Sequence, residues 1–248
     1  MKKYIFPTTA EMATAAAGSV AQTIRHAIRT KGQANLVIGT GASQSEMFER
    51  LTADKDIDWF KVVLFHLDEY LGLEPGHPGA LRTYLMKNVV DKVAPLRAMY
   101  LVQGEAADPV EECRRLGLLI RAHPIDVACI GFGENGHLAF NDPPADFETE
   151  EPYLIVDLDE RCRRQQVGEG WFPSLDEVPT RAISMSVRQI LKSKQLVATV
   201  PDLRKAEAVK NALEGPVTPQ CPASIVQQHE NCEIFLDEAA ASRLSSEL

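Results

Sequence analysis

Asp126–Pro143, DVACIGFGENGHLAFNDP, decides how this chain is read. Val127, Ala128, Cys129, Ile130 and Gly131 carry almost no polarity and read as a buried strand of a parallel sheet. The strand breaks into a Gly-spaced loop, Gly133-Glu134-Asn135-Gly136, which delivers His137, Asn141 and Asp142 within a few positions. In an open α/β sheet, ligands bind just beyond the carboxyl ends of strands. An imidazole and a carboxylate presented there suit proton transfer. A lone histidine in a surface loop would carry no such meaning. The preceding strand, the two glycines and the following Asn141-Asp142 make a site the better reading.

Working outward, the same strand-then-loop pattern recurs. Upstream, Asn35–Gly39 (NLVIG) reads as a strand that runs into Thr40-Gly41-Ala42-Ser43-Gln44 and a helix carrying Met47, Phe48 and Leu51. Val62–Leu67 (VVLFHL) ends at Asp68-Glu69-Tyr70, and a helix follows around Leu81–Val90. A weaker strand at Ala98–Gln103 precedes a helix with Val110, Cys113, Leu116 and Leu119. The capping box Thr8-Thr9-Ala10-Glu11 opens a long Ala-rich helix to about Arg29, which Lys31-Gly32 stops.

Downstream, Tyr153–Leu158 is expected as a strand, and 159–180 as irregular apart from a helical turn over Arg161–Gln166. Ala182–Val187 leads to a helix, Leu196–Val200 is a strand before the helix Leu203–Leu213, and Glu233–Leu236 closes the series. No repeat or linker interrupts this order. It predicts a single domain over 1–248 of α/β class: three-layer, doubly wound and Rossmann-like, with a mainly parallel sheet and helices on both faces.

A net charge of -9 over 248 residues argues against a nucleic-acid surface or an anionic membrane as partner. Five widely spaced cysteines, with no CxxC pair, suit free thiols in a reducing cytoplasm. The N-terminal MKKYIFPTTAEM lacks the apolar core of a signal peptide, and no run approaches transmembrane length. A cytoplasmic location is expected.

Several candidate groups fall just after strands. Gly39–Gln44 offers small residues and the start of a helix, the arrangement that holds phosphate. It is neither GxGxxG nor GxxxxGK[ST], so NAD and ATP are not expected. At Asp68-Glu69 side chains alternate, so one carboxylate faces the cleft; the competing reading makes both solvated turn residues. Lys205 can reach an anion or lie on an exposed helix face. His77-Pro78 reads as turn punctuation; His26, His66, His123 and His229 have no ligand spacing, and no metal is expected.

The strings TGASQ (40–44), LDEYLGLEPGHPGALRTYL (67–85), GFGENGHLAFNDP (131–143) and RKAEAVKNALEG (204–215) together resemble the glucosamine-6-phosphate deaminase (isomerase) family. The related 6-phosphogluconolactonases favour DGHTASLFP at the signature loop, so GHLAFNDP places the chain nearer the deaminases. The resemblance implies conversion of an amino sugar phosphate to a ketose phosphate and ammonia, without a cofactor. It gives His137 the opening of the pyranose ring and Asp68 the C2 proton, which returns at C1. Asn135 would orient His137, Asp142 would complete the relay, and Thr40, Gly41, Ala42 and Ser43 with Lys205 would hold the phosphate.

Three departures accompany it. Asp142 stands where the family usually has Glu, and Asn135 where many members have Asp. Gln166 stands where a phosphate-binding arginine is expected, so either Arg164 or its neighbour Arg163 substitutes or the substrate is not the usual one. The segment PADFETEEPYL, acidic where allosteric members are basic, predicts no activation by an acetylated sugar phosphate.

The leading expectation is thus an enzyme acting on glucosamine 6-phosphate or galactosamine 6-phosphate. The alternatives are a sugar phosphate lactone hydrolase and a non-catalytic sugar-phosphate sensor. The expected partner is the small-molecule sugar phosphate, with homo-oligomerisation left open.

Overall fold

The computed structural model describes residues 1–93 and 95–245. Ten strands occur in it: β1 (Lys2–Phe6), β2 (Ala34–Ile38), β3 (Val62–His66), β4 (Asp68–Tyr70), β5 (Ala98–Tyr100), β6 (Val127–Ile130), β7 (Tyr153–Asp157), β8 (Arg181–Met185), β9 (Leu196–Val200) and β10 (Cys232–Asp237). The helices are α1 (Thr9–Lys31), α2 (Ser45–Ala53), α3 (Leu81–Asn88), α4 (Pro109–Arg121), α5 (Glu160–Gly168), α6 (Val187–Leu191), α7 (Ala206–Glu214) and α8 (Glu238–Ala241). None is long and apolar enough to cross a membrane among the described residues.

Seven strands form one parallel sheet in the order β1-β10-β9-β6-β2-β3-β5. Alternate side chains serve two cores, as the period of two requires. Leu36, Ile38, Leu64, Val127 and Cys129 pack with Met12, Val20 and Ile24 of α1 and Phe48 and Leu51 of α2. Val37, Phe65, Ala128, Ile130 and Val200 pack on the other face with Leu116 and Ile120 of α4 and Val209 of α7. The sheet is covered on both faces, which is why its strands read as continuous apolar runs.

Local chemistry sets the ends of α1. Thr8 Oγ1 accepts the Glu11 N–H at 3.2 Å, and Gly32 at φ 82° closes the helix through a bond from its N–H to the Ile28 carbonyl. A cap of this kind contributes about 1 kcal/mol.

Three features depart from expectation. β7 and β8 do not join the main sheet; with β4 they make a separate antiparallel sheet in the order β4-β8-β7. Residues 160–168 form a full helix, α5, rather than irregular chain with one turn. Its polarity concealed it, since a helix on the rim of a cleft needs little apolar surface. β1 was also unforeseen: it is an edge strand with a mostly exposed pattern.

Candidate active site

The chain adds β3 and β5 on one side of β2, then returns to lay β6, β9 and β10 on the other. This reversal between β2 and β6 is the topological switch point, where loops splay apart and leave a crevice. A cleft lies there, walled by the loops after β2, β3, β6 and β9 and by one face of α5. Thr40, Gly41, Ala42 and Ser43 line it, with Asp68, His137 and Lys205.

The phosphate-type loop rises from β2 through Gly39 into a 3-10 turn, Ala42–Gln44, that leads directly into α2. The first N–H groups of such a start have no partners within the helix and attract anions. Thr40 Oγ1 and the Gln44 side-chain amide are buried without a protein partner. They supply hydrogen-bonding capacity to whatever enters, because leaving them unpaired costs about 1–3 kcal/mol each.

Asp68 and Glu69 are both buried, so neither is a solvated turn residue. Only Asp68 lines the cleft. Glu69 turns the other way and accepts the N–H groups of Tyr70, Leu81 and Arg82 at 2.8, 3.0 and 2.6 Å, holding the start of α3. Burial first, then the neighbouring Glu69 charge, pushes the Asp68 carboxyl up to about 8. A carboxylate so placed is a far stronger base than one in water.

His137 is set by the loop around it. Its N–H donates to Asn135 Oδ1 at 3.0 Å, and its carbonyl accepts the Gly133 N–H at 3.0 Å. Its Nδ1 lies 3.3 Å from Asp142 Oδ1, an ion-pair contact longer than the loop's own hydrogen bonds. Asp142 is itself fixed by Asn135 Nδ2 at 2.9 Å and the Asp159 N–H at 3.0 Å. Burial alone would raise its carboxyl; the His137, Asn135 and Asp159 contacts prevail and hold it below the usual range. Asp142 therefore reaches the imidazole despite its short side chain.

The loop is anchored by the small sheet. Asn141 Nδ2 donates to the Met185 carbonyl at 2.9 Å, and the Phe140 N–H donates to Ser184 Oγ at 3.0 Å. Ser184 also sits opposite Asp68 in the β4–β8 register. The antiparallel sheet that the sequence did not reveal thus ties the two candidate proton carriers to one scaffold.

Gly133 faces the ring so closely that a Cβ there would stand 2.2–2.3 Å from three imidazole atoms. Gly133→Ala is expected to displace His137 and lower turnover about 100-fold or more, since misplacement by an ångström costs that much. Steady-state kinetics with circular dichroism checks it; near-normal kcat in a folded variant would refute it.

Lys205 is buried at the end of a 3-10 turn after β9, not on an open helix face. Burial lowers its pKa, while Glu169 and Glu134 oppose that shift. Its Nζ lies 3.8 Å from Glu169 Oε1.

Arg164 requires a correction. It is exposed on α5 with its Nε 2.8 Å from Glu160 Oε1, outside the cleft, and Arg163 donates to the carbonyls of Leu175 and Val178. Helical spacing explains this: Cys162, Gln165, Gln166 and Glu169 share one face, which excludes 163 and 164. Gln165, Gln166 and Glu169 line the cleft instead. Nothing in the sequence spacing marked Glu169. Trp171 donates to it through Nε1 at 3.2 Å, while Phe172 packs on Tyr70 in the apolar cluster beneath.

Residues 7–235 match the family described as glucosamine-6-phosphate isomerases/6-phosphogluconolactonase. The chain belongs to this family. A glucosamine-6-phosphate deaminase of Exiguobacterium sibiricum is 38% identical over 210 residues, 85% of this chain and 81% of that protein. The solved structure of a monomeric glucosamine-6-phosphate deaminase is 30% identical, with a TM-score of 0.91 over 98% of this chain and 99% of that one. A 6-phosphogluconolactonase from Trypanosoma brucei shares the family fold at 12% identity and a TM-score of 0.81, covering 98% of each chain. Fold is common to both activities of the family, so the choice between them rests on the site.

Proposed function

We propose that this family member is an amino-sugar-phosphate deaminase-isomerase, converting glucosamine 6-phosphate or its galactosamine epimer, with water, to a ketose 6-phosphate and ammonia. The observation that carries the reading is the placement of Asp68 and His137 in one cleft with the Gly41–Ser43 loop and Lys205. The deaminase relatives support it.

In this reading, the loop N–H groups and Lys205 hold the phosphate and fix the sugar's position. His137, steadied by Asn135 and Asp142, moves the proton that opens the ring between the C1 and C5 oxygens. Asp68 then removes the C2 proton of the open aldehyde to give an enolamine, and returns it to C1. The resulting C2 imine takes up water and releases ammonia. A base of raised pKa suits this weak carbon acid, because proton transfer is efficient when base and task are matched. The five unpaired cysteines support the cytoplasm as its compartment.

The deciding experiment is ammonia release from glucosamine 6-phosphate and galactosamine 6-phosphate, with 6-phosphogluconolactone alongside. Ammonia from either amino sugar is expected; lactone hydrolysis without it would overturn the reading. The rate curve should be hyperbolic and indifferent to N-acetylglucosamine 6-phosphate.

Glu169 competes with the phosphate for Lys205. Removing its charge in Glu169→Gln is expected to favour substrate by about 1 kcal/mol, roughly fivefold in KM, with kcat little changed. A raised KM would show that Glu169 assists binding.

A further inference from the structure

Behind the imidazole, three groups of different chemistry converge. His137 Nδ1, an Asp142 oxygen and Cys162 Sγ all lie within 4.8 Å of one another. His137 is 8% exposed, and its Nδ1 is buried with no hydrogen-bond partner. We propose that these three side chains form an inhibitory site for a thiophilic divalent cation of the zinc type.

The geometry favours it. Ligands bonded to zinc at about 2.0–2.2 Å across a tetrahedral angle stand roughly 3.4 Å apart. The Nδ1–Oδ1 separation is 3.3 Å. Sulfur, bonded at about 2.3 Å, needs a shift on the order of 1 Å from the outer limit of the cluster. Asn135 Nδ2 and the Asp159 N–H already orient Asp142, as outer partners orient ligating carboxylates. Asn135 occupies one direction on Oδ1 and leaves the other for a metal.

Charge also balances. The Cys162 thiol is buried beside Asp142 and Asp159 and is held protonated. On binding, it gives its proton to solvent, and thiolate, carboxylate and neutral imidazole leave a dication site uncharged overall. A mixed sulfur, nitrogen and oxygen set selects zinc over magnesium or calcium. The bound cation fixes the imidazole through Nδ1 and neutralises Asp142, so His137 can no longer cycle a proton for the proposed reaction.

Cobalt(II), a spectroscopic probe for zinc, tests the site without turnover, so failure of the deaminase reading leaves this arm intact. Titration of the protein in buffer without added thiol should give tetrahedral visible bands with a near-ultraviolet thiolate band, displaced by zinc. Cys162→Ser and Cys162→Ala should lose the thiolate band, while Cys113→Ser and Cys221→Ser keep it. In turnover assays zinc should inhibit reversibly by EDTA. Cys162→Ser should raise the half-inhibitory concentration about 10- to 100-fold and leave metal-free activity unchanged. A spectrum without thiolate character, a band that survives Cys162 replacement, or equal inhibition of wild type and Cys162→Ser overturns the proposal.

Discussion

Asp68→Asn is expected to lower kcat for ammonia release by about three orders of magnitude with little change in KM, as loss of a positioned base does. The amide keeps the shape of the side chain and removes only the ability to take a proton. The pH profile supplies a second reading. With the carboxyl pushed up to about 8, wild-type kcat/KM should rise with pH through that value and fall about tenfold per unit below it. The residual activity of the variant should lack this limb.

Stability should move oppositely to activity. The folded-state pKa is raised, so the fold favours the protonated acid. The stability linked to this group is complete below the unfolded value near 4 and is lost as pH rises through about 8. Asn carries no such penalty, so the variant should melt above wild type at pH 9. A lower Tm there, or an undiminished kcat, would contradict the assignment of Asp68 as a buried base.

How much of this was legible in the sequence follows from how local each signal is. β2, β3, β6 and β9 were read within a residue or two because a sheet covered on both faces demands unbroken apolar runs. The loops after them followed at once, and with them Thr40–Ser43, Asp68 and His137. What escaped depends on tertiary partners. β4 is three residues long and pairs with β8, 112 to 116 positions later, so no window of sequence contains both.

α5 escaped for another reason. Its buried face consists of Cys162 and Gln166, a pair with no apolar stripe to betray a helix. Without the helix, Arg164 and Gln166 could not be assigned to different sides, and Glu169 went unnoticed. The departure at Asp142 also could not be judged from sequence. A shorter side chain reaches His137 because Asn135 and the backbone at Asp159 draw it into place, contacts that join residues 7 and 17 positions away.

His137→Gln is expected to cost about two to four orders of magnitude in kcat while leaving the fold intact, and it separates two roles that a rate alone confounds. If His137 serves ring opening and Asp68 the C2 proton, the two variants slow different steps of one sequence. With substrate deuterated at C2, Asp68→Asn should show a full primary isotope effect, because proton removal limits the rate. His137→Gln should show an effect near unity, because the ring now opens too slowly for the later proton transfer to matter. Since Gly133 and Asn135 hold the imidazole rather than the sugar, Asn135→Ala should resemble His137→Gln in this respect, at smaller cost. A full isotope effect retained in His137→Gln would place the imidazole in the carbon proton transfer itself, and Asp68 would then have to share that step.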